Sequence, residues 1–141
     1  MDFGSINWLA VIACVVVSMI SGTIWYNPKT FFPIWWKGIG KGDAQPGMGD
    51  NMAMTWGLTI LSSLVQAIFM ALFVNAMGSM NGGATLVSGA TAGFLLWLGF
   101  VATTNLSNKL FAGFPFYVWA IEVGNHLVNF VLFGAILGAW H

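Results

Sequence analysis

Glu122 is an ionisable acid inside a long apolar segment, residues 116–140, near the end of the chain. Asn125, His126 and Asn129 follow it at helical spacings of three, four and seven residues, so the four side chains share one helix face. An unpaired charge at membrane depth costs a contested ~3 kcal/mol or more, so such groups normally face a bundle interior or a wet cavity. The spacing therefore predicts a polar, internal face on this segment.

The chemistry open to this face is proton exchange, structural hydrogen bonding or metal chelation. Glu122 and His126 are one helical turn apart, so they can share a proton and titrate as a unit, as a proton-coupled carrier requires. The competing interpretation is a hydrogen-bonded network that fixes helix registry and moves nothing. A catalytic zinc site needs three strong ligands, and the sequence offers no further His or Cys at this level. We therefore predict no metal site and no cofactor.

Composition places the chain in a membrane. Of its 141 residues 58% are hydrophobic and 6% are charged, and its mean hydropathy is +0.83, whereas soluble domains carry about a quarter charged residues. The four basic residues are all Lys, too few and too scattered to form a nucleic-acid patch. The predicted partners are therefore the lipid bilayer and other membrane proteins, not nucleic acid.

Four apolar segments have the length of about 20 residues that a bilayer demands. Only helices or closed barrels satisfy the backbone in lipid, and these segments are continuous rather than alternating. We predict a single transmembrane domain over residues 1–141, an all-α integral membrane four-helix bundle built from two helical hairpins. The predicted helices lie at about 6–26, 52–77, 84–106 and 116–140. An interfacial loop is predicted at about 27–51.

The Lys residues predict the orientation. Lys29, Lys37 and Lys41 lie between the first and second segments, and Lys109 lies between the third and fourth. With four spans, these two connections are on one side, and the opposite side carries no Lys. The positive-inside rule then places both termini on the non-cytoplasmic side of the membrane.

Polar residues of the other helices match the depth of the stripe on the fourth. Counting at ~1.5 Å per residue, Thr103 and Thr104 reach the level of Glu122, and Gln66 reaches that of Asn129. Buried polar groups need hydrogen-bond partners, and such side chains provide them. These residues predict a polar cavity that opens towards the cytoplasm.

Small residues dominate the opposite half of the third and fourth segments. Gly89 and Gly93 form one small-xxx-small motif, and Gly134 and Gly138 form another at a similar depth. Such motifs let helix backbones approach closely, either within one chain or across a dimer. We favour packing within the chain, because antiparallel neighbours joined by a short loop must pack anyway.

Several motifs along the chain resemble a bacterial membrane-protein family, domain of unknown function 1761. They are Asn7-Trp8-Leu9-Ala10-Val11, Gly22-Thr23-Ile24-Trp25-Tyr26-Asn27-Pro28, Leu96-Trp97-Leu98-Gly99-Phe100 followed by Thr103-Thr104, Asn125-His126-Leu127-Val128, and Gly134-Ala135-Ile136-Leu137-Gly138. The resemblance implies a small polytopic membrane protein and supplies no activity that could be carried over to particular residues.

The sequence favours a small transporter or channel-like protein whose polar cavity responds to protons or cations. Four helices are too few to enclose a wide pathway alone, so we expect a homo-oligomer. The alternative is a non-catalytic accessory or scaffold subunit of a larger, heteromeric membrane complex. We do not expect an enzyme. The third hypothesis, a metal-dependent intramembrane enzyme, is disfavoured because the sequence offers too few metal ligands.

Overall fold

The computed structural model describes residues 3–42, 52–80 and 82–140. Within them the chain is helical with short connections, and no β-strand occurs in these ranges. The predicted loop 27–51 is described up to residue 42, so its second part lies outside the described residues. A short 3-10 turn precedes the helices, which are α1 (Trp8–Trp25), α2 (Phe32–Gly38), α3 (Met52–Met80), α4 (Leu86–Leu96), α5 (Thr103–Phe111) and α6 (Phe116–Ala139).

Four of these stretches are long and apolar enough to cross a membrane. The third is composite, because a π-helical segment, Trp97–Ala102, joins α4 to α5 without a break. Their mean hydropathies run from 2.1 to 1.5 over Trp8–Trp25, Ala53–Met80, Leu86–Phe111 and Phe116–Ala139. The prediction of an all-α protein with four membrane-spanning helices is confirmed.

The third span ends at Phe111, about five residues beyond the predicted end near residue 106. Polar residues in this last turn do not break a helix, and Lys109 there suits the negative end of the helix dipole. The helix stops at Gly113, whose φ of 81° only glycine adopts without strain, and Pro115 follows.

Both termini lie at the same end of the bundle. Asn7 caps α1 by accepting from the backbone N–H groups of Leu9 and Ala10 at 3.1 and 3.2 Å. Its Nδ2 also donates to the carbonyl of Trp140, just past the end of α6, at 3.5 Å. We call this the terminal end, and the opposite end, which holds α2, the α2 end.

Glycines join α4 and α6 at the terminal end. A Cβ on Gly89 would overlap the carbonyl oxygen of Gly134, and a Cβ on Gly134 would overlap that of Gly89. Gly93 approaches the backbone of Phe130 equally closely, and Gly138 approaches that of Thr85. The two motifs therefore meet each other within one chain, and the helix backbones are in direct contact.

The two halves of α3 differ in packing. From Ser63 onward α3 contributes buried residues to the core, among them Ala67, Ala71 and Val74. Every residue from 53 to 62 is exposed. The second half of α3 therefore supplies buried residues to the core, and the first half, at the α2 end, has exposed side chains.

Candidate functional site

A cleft of about 930 Å³ lies between α1, α3 and α6, and α2 lines it at its wide end. It runs along α3 from Thr55 to Gln66, a length of about 16 Å at 1.5 Å per residue. We call it the polar cleft. Its lining residues are Ser18, Met19, Gly22, Thr23, Tyr26, Asn27, Pro28, Phe32, Trp35, Thr55, Trp56, Leu58, Thr59, Ser62, Ser63, Gln66, Asn125, His126 and Asn129.

Helix α6 provides the amides and the imidazole of the polar cleft. Asn125 and Asn129 are each 7% exposed, and Nδ2 of Asn125 donates to Oγ of Ser21 at 2.9 Å. Nδ1 of His126 and Oδ1 of Asn129 are buried, and neither has a hydrogen-bond partner among the described residues. Because buried polar atoms are normally paired, these two atoms mark the place where a ligand or water would bind.

Hydroxyl groups on α1 and α3 form the opposite wall. Thr55, Thr59, Ser62, Ser63 and Gln66 occur at helical spacing and lie on one face of α3. The hydroxyls of Ser63 and of Ser18, on α1, are hydrogen-bonded at 3.0 Å. This contact is where α1 and α3 come together, and the cleft widens from there towards the α2 end.

Aromatic rings surround the wide end of the cleft. Tyr26 and Trp35 pack edge to face with centroids 5.0 Å apart, and Phe32 lies 5.9 Å from Trp35. Trp56 adds a ring from α3. The indole N–H of Trp35 is buried without a partner in the part of the chain that the structure describes. The short helix α2, which lies within the predicted interfacial loop 27–51, thus contributes directly to the site.

Three indole groups hold the polar half of α6 in position. Trp25 donates to the carbonyl of Ile121 and Trp97 to that of Val123, both at 2.8 Å. Trp119 donates in turn to the carbonyl of Ala102 at 2.8 Å. These bonds fix the rotation of α6 against α1 and the third span, and so direct Asn125 and His126 into the cleft.

Glu122 lies next to Lys109, outside the set of residues that line the cleft. Nζ of Lys109 is 3.0 Å from Oε2 of Glu122, and the two side chains are 21% and 20% exposed. Burial raises the pKa of Tyr26 above its usual range, and the negative charge of Glu122 raises it further. The carboxylate is therefore compensated by Lys109 while its field reaches a residue of the cleft.

Thr103 and Thr104 also lie outside the cleft and are exposed. The Thr103 hydroxyl donates to the carbonyl of Gly99 in its own helix at 2.9 Å. Of the residues predicted for the cavity, the structure brings Gln66, Asn125, His126 and Asn129 together and leaves Glu122 and the two threonines apart. No group of three or more His, Cys, Asp or Glu side chains in the described ranges is arranged to hold a metal ion.

Some cleft residues were missed in the sequence. Thr55 continues the spacing of the α3 hydroxyls and could have been found from that pattern. Tyr26 and Asn27 belong to the Trp-Tyr-x-Pro corner, one of the motifs on which the family resemblance rests, whereas Trp35 carried no such signal, because its position depends on how the chain turns after α1.

The family model described as "Protein of unknown function (DUF1761)" matches residues 9–138, nearly the whole chain. The chain belongs to this family. The resemblance found in the motifs is thereby confirmed, and every residue that lines the polar cleft of this DUF1761 protein falls inside the matched range. No curated protein and no solved structure matches it.

Proposed function

We propose that the protein is a small transport protein of the bacterial inner membrane, in which the polar cleft holds the ligand. The main observation that supports this proposal is that the cleft starts at the α2 end and reaches Asn129, just past the middle of α6. Beyond this point the glycine contact of α4 with α6 and the apolar core fill the bundle. A cavity that opens to one side and stops near the midplane is typical of a transporter in one of its access states.

The α2 end faces the cytoplasm in this proposal. Lys29, Lys37 and Lys41 lie in or beside α2, and Lys109 lies in the last turn of α5, which is at the same end. By the positive-inside rule this distribution supports termini on the non-cytoplasmic side and a cleft open to the cytoplasm.

His126 is the proton-responsive group of the proposal. Glu122 lies one turn earlier on α6, with Lys109 beside its carboxylate, and Tyr26, at the end of α1, lines the same cleft as His126. Protonation converts Nδ1 of a neutral imidazole into a donor and adds a charge, so it changes what the cleft binds. Ligand binding and proton binding are therefore coupled at one side chain.

Cysteine labelling tests the access route. In a Cys14→Ser background, Gln66→Cys lies in the cleft, and Val65→Cys is its neighbour on the exposed face of α3. We expect a membrane-impermeant thiol reagent to label Gln66→Cys well above Val65→Cys in inside-out vesicles and not in right-side-out vesicles. Equal labelling of the two variants would reject a water-accessible cleft, and labelling only from the periplasmic side would reverse the orientation.

Proteoliposomes test transport itself. Under a potassium diffusion potential, we expect proton flux, read by a trapped pH dye, from the unmodified protein and not from His126→Gln. Thr91→Ala is the matched control, because Thr91 is exposed on α4 and its hydroxyl bonds within its own helix to Val87. Identical flux in the unmodified protein and His126→Gln, or flux no higher than in empty vesicles, would reject the transport proposal.

The second candidate function is an accessory subunit, favoured by the exposed first half of α3. Ten consecutive positions, 53–62, are all exposed in the part of the chain that the structure describes, and an exposed helical stretch of this length suits contact with a partner subunit. The mass of the complex released from native membranes distinguishes the two: a homo-oligomer supports the transporter, and a stable heteromer supports the accessory subunit.

A further inference from the structure

The described residues that line the polar cleft are uncharged. Within that set there is no Lys, Arg, Asp or Glu, and the titratable side chains are Tyr26 and His126. Glu122 is the only acid among the described residues, and its carboxylate is already paired with Lys109. While His126 is neutral, an ion in the cleft would lose hydration without gaining a counter-ion from these side chains, so the lining discriminates against charged ligands.

The buried atoms that lack partners require a ligand that both donates and accepts hydrogen bonds. The indole N–H of Trp35 can only donate, an amide oxygen such as Oδ1 of Asn129 can only accept, and Nδ1 of His126 does either according to its tautomer. A ligand head that carries a hydroxyl or an amide can bond both to Nδ1 of His126 and to Oδ1 of Asn129, whereas a pure acceptor cannot bond to the amide oxygen and a hydrocarbon bonds to neither.

The rest of the cleft suits an apolar body. Tyr26, Phe32, Trp35 and Trp56 surround its wide end, and its volume of about 930 Å³ lies within the range of roughly 300–1,000 Å³ usual for small-molecule sites. Exposed residues of α1 and α3, Thr23 among them, line the cleft, so the gap between these helices leads out of the bundle sideways.

We infer that the polar cleft binds an uncharged amphipathic molecule that arrives from the bilayer between α1 and α3. Its apolar, ring-sized body lies among the aromatic rings at the α2 end, and its hydroxyl or amide head bonds to His126 and Asn129. The inference names the substrate class of the proposed transport function and rests on that function for its physiological meaning.

Photo-crosslinking with four probes that share one body tests this class. The probes are benzophenone, its para-hydroxymethyl derivative, the anion para-benzoylbenzoate and the cation para-benzoylbenzyl-trimethylammonium. Each is irradiated with the purified protein in lipid nanodiscs, and crosslinks are mapped by peptide mass spectrometry. Labelling of residues 19–26 and 55–66 is expressed relative to the exposed face of α4, which contacts the same lipid.

We expect the alcohol to label the cleft peptides most. The two ions are expected to label the cleft peptides at least about tenfold less than the alcohol does. Benzophenone is expected to label them about fivefold less than the alcohol, which corresponds to the loss of one hydrogen bond. His126→Leu and Asn129→Leu should lower labelling by the alcohol about fivefold. Both variants should leave labelling by benzophenone unchanged, whereas collapse of the cleft would lower it. Thr91→Val should change labelling by neither the alcohol nor benzophenone.

The outcomes separate the ligand class from the function. Preferential labelling of the cleft by either ion would overturn the inference and leave the proposed transport function standing. Equal labelling by the alcohol and benzophenone would overturn the role of the polar head. If no probe prefers the cleft to the face of α4, the inference about the ligand class is overturned. The transport proposal is rejected separately, by the liposome assay, when the unmodified protein gives no more proton flux than empty vesicles or the same flux as His126→Gln.

Discussion

Replacing Gly89 with alanine is expected to destabilise the protein by about 1–3 kcal/mol. The new Cβ would overlap the carbonyl oxygen of Gly134, lying 2.8 Å from its carbonyl carbon and 3.0 Å from Cα of Gly138. Since carbon atoms make contact at about 3.5–4.0 Å, α4 and α6 must separate by roughly 1 Å. The separation also opens the neighbouring contact of Gly93 with Phe130, so one added methyl loosens the whole interface.

Gly57→Ala is the matched control for this substitution. It makes the same chemical change inside a helix, but a Cβ at Gly57 meets nothing within 4 Å. Alanine favours a helix by up to about 1 kcal/mol over glycine, so this variant should be slightly more stable than the unmodified protein. The two substitutions are therefore expected to change the free energy of unfolding in opposite directions.

The free energy of unfolding is measured by SDS titration in mixed micelles, followed by tryptophan fluorescence. Gly89→Ala with Gly134→Ala should cost less than the sum of the single changes, because one separation of the helices relieves both overlaps. If Gly89→Ala is as stable as Gly57→Ala, the direct backbone contact of α4 with α6 is wrong.

Three further predictions concern the polar half. Lys109→Met should lower the free energy of unfolding by about 2 kcal/mol, which is less than the ~3–5 kcal/mol of a fully buried pair because both side chains are partly exposed. Adding Glu122→Gln should restore most of this stability. No recovery in the same SDS titration would contradict the ion pair. Ser63→Ala removes the hydrogen bond to its partner hydroxyl on α1 and should cost about 1 kcal/mol, with no loss marking that bond as unimportant. The pKa of Tyr26 is raised in the folded protein, so the Tyr26 hydroxyl keeps its proton there after the unfolded chain has lost it. The free energy of unfolding should therefore fall as pH rises above about 10. Glu122→Gln should lower the pKa of Tyr26, read from phenolate absorbance in a Tyr117→Phe background; an unchanged titration would show that the carboxylate is not felt there.

The spans and the stripe on α6 could be predicted because both depend on local sequence. Apolar length sets the number of helices, and a spacing of three and four residues puts side chains on one face in any α-helix. Asn125 and Asn129 are accordingly both buried and both line the cleft. The glycine motifs likewise meet where their matching depth placed them.

Which side chains of the third span point into the bundle could not be predicted, because its helix is not a regular α-helix throughout. A regular α-helix through residues 84–106 was assumed when Thr103 and Thr104 were matched to Glu122. The π-helical segment Trp97–Ala102 has more residues per turn, and each extra residue rotates the following face by about 100°. Both threonines are accordingly exposed, outside the cleft.

The partner of Glu122 was missed for a related reason. Lys109 was assigned to a loop because the predicted helix ended near residue 106, and a loop residue has no fixed direction. In the structure the helix continues to Phe111, so Lys109 lies in its last turn and contacts the carboxylate. A boundary error of five residues thus concealed the ion pair.

The cleft begins where the close packing of α1 against α3 ends. Towards the terminal end, Ala10, Cys14, Ala67 and Ala71 belong to one core cluster and are 0–2% exposed, so the two helices come close together. Beyond the Ser18–Ser63 hydrogen bond, residues of both helices line the polar cleft instead of the core. The unpaired atoms of His126 and Asn129 remain in this cleft because the hydrogen bonds that Trp25 and Trp97 donate to the backbone of α6 oppose a rotation that would cover them.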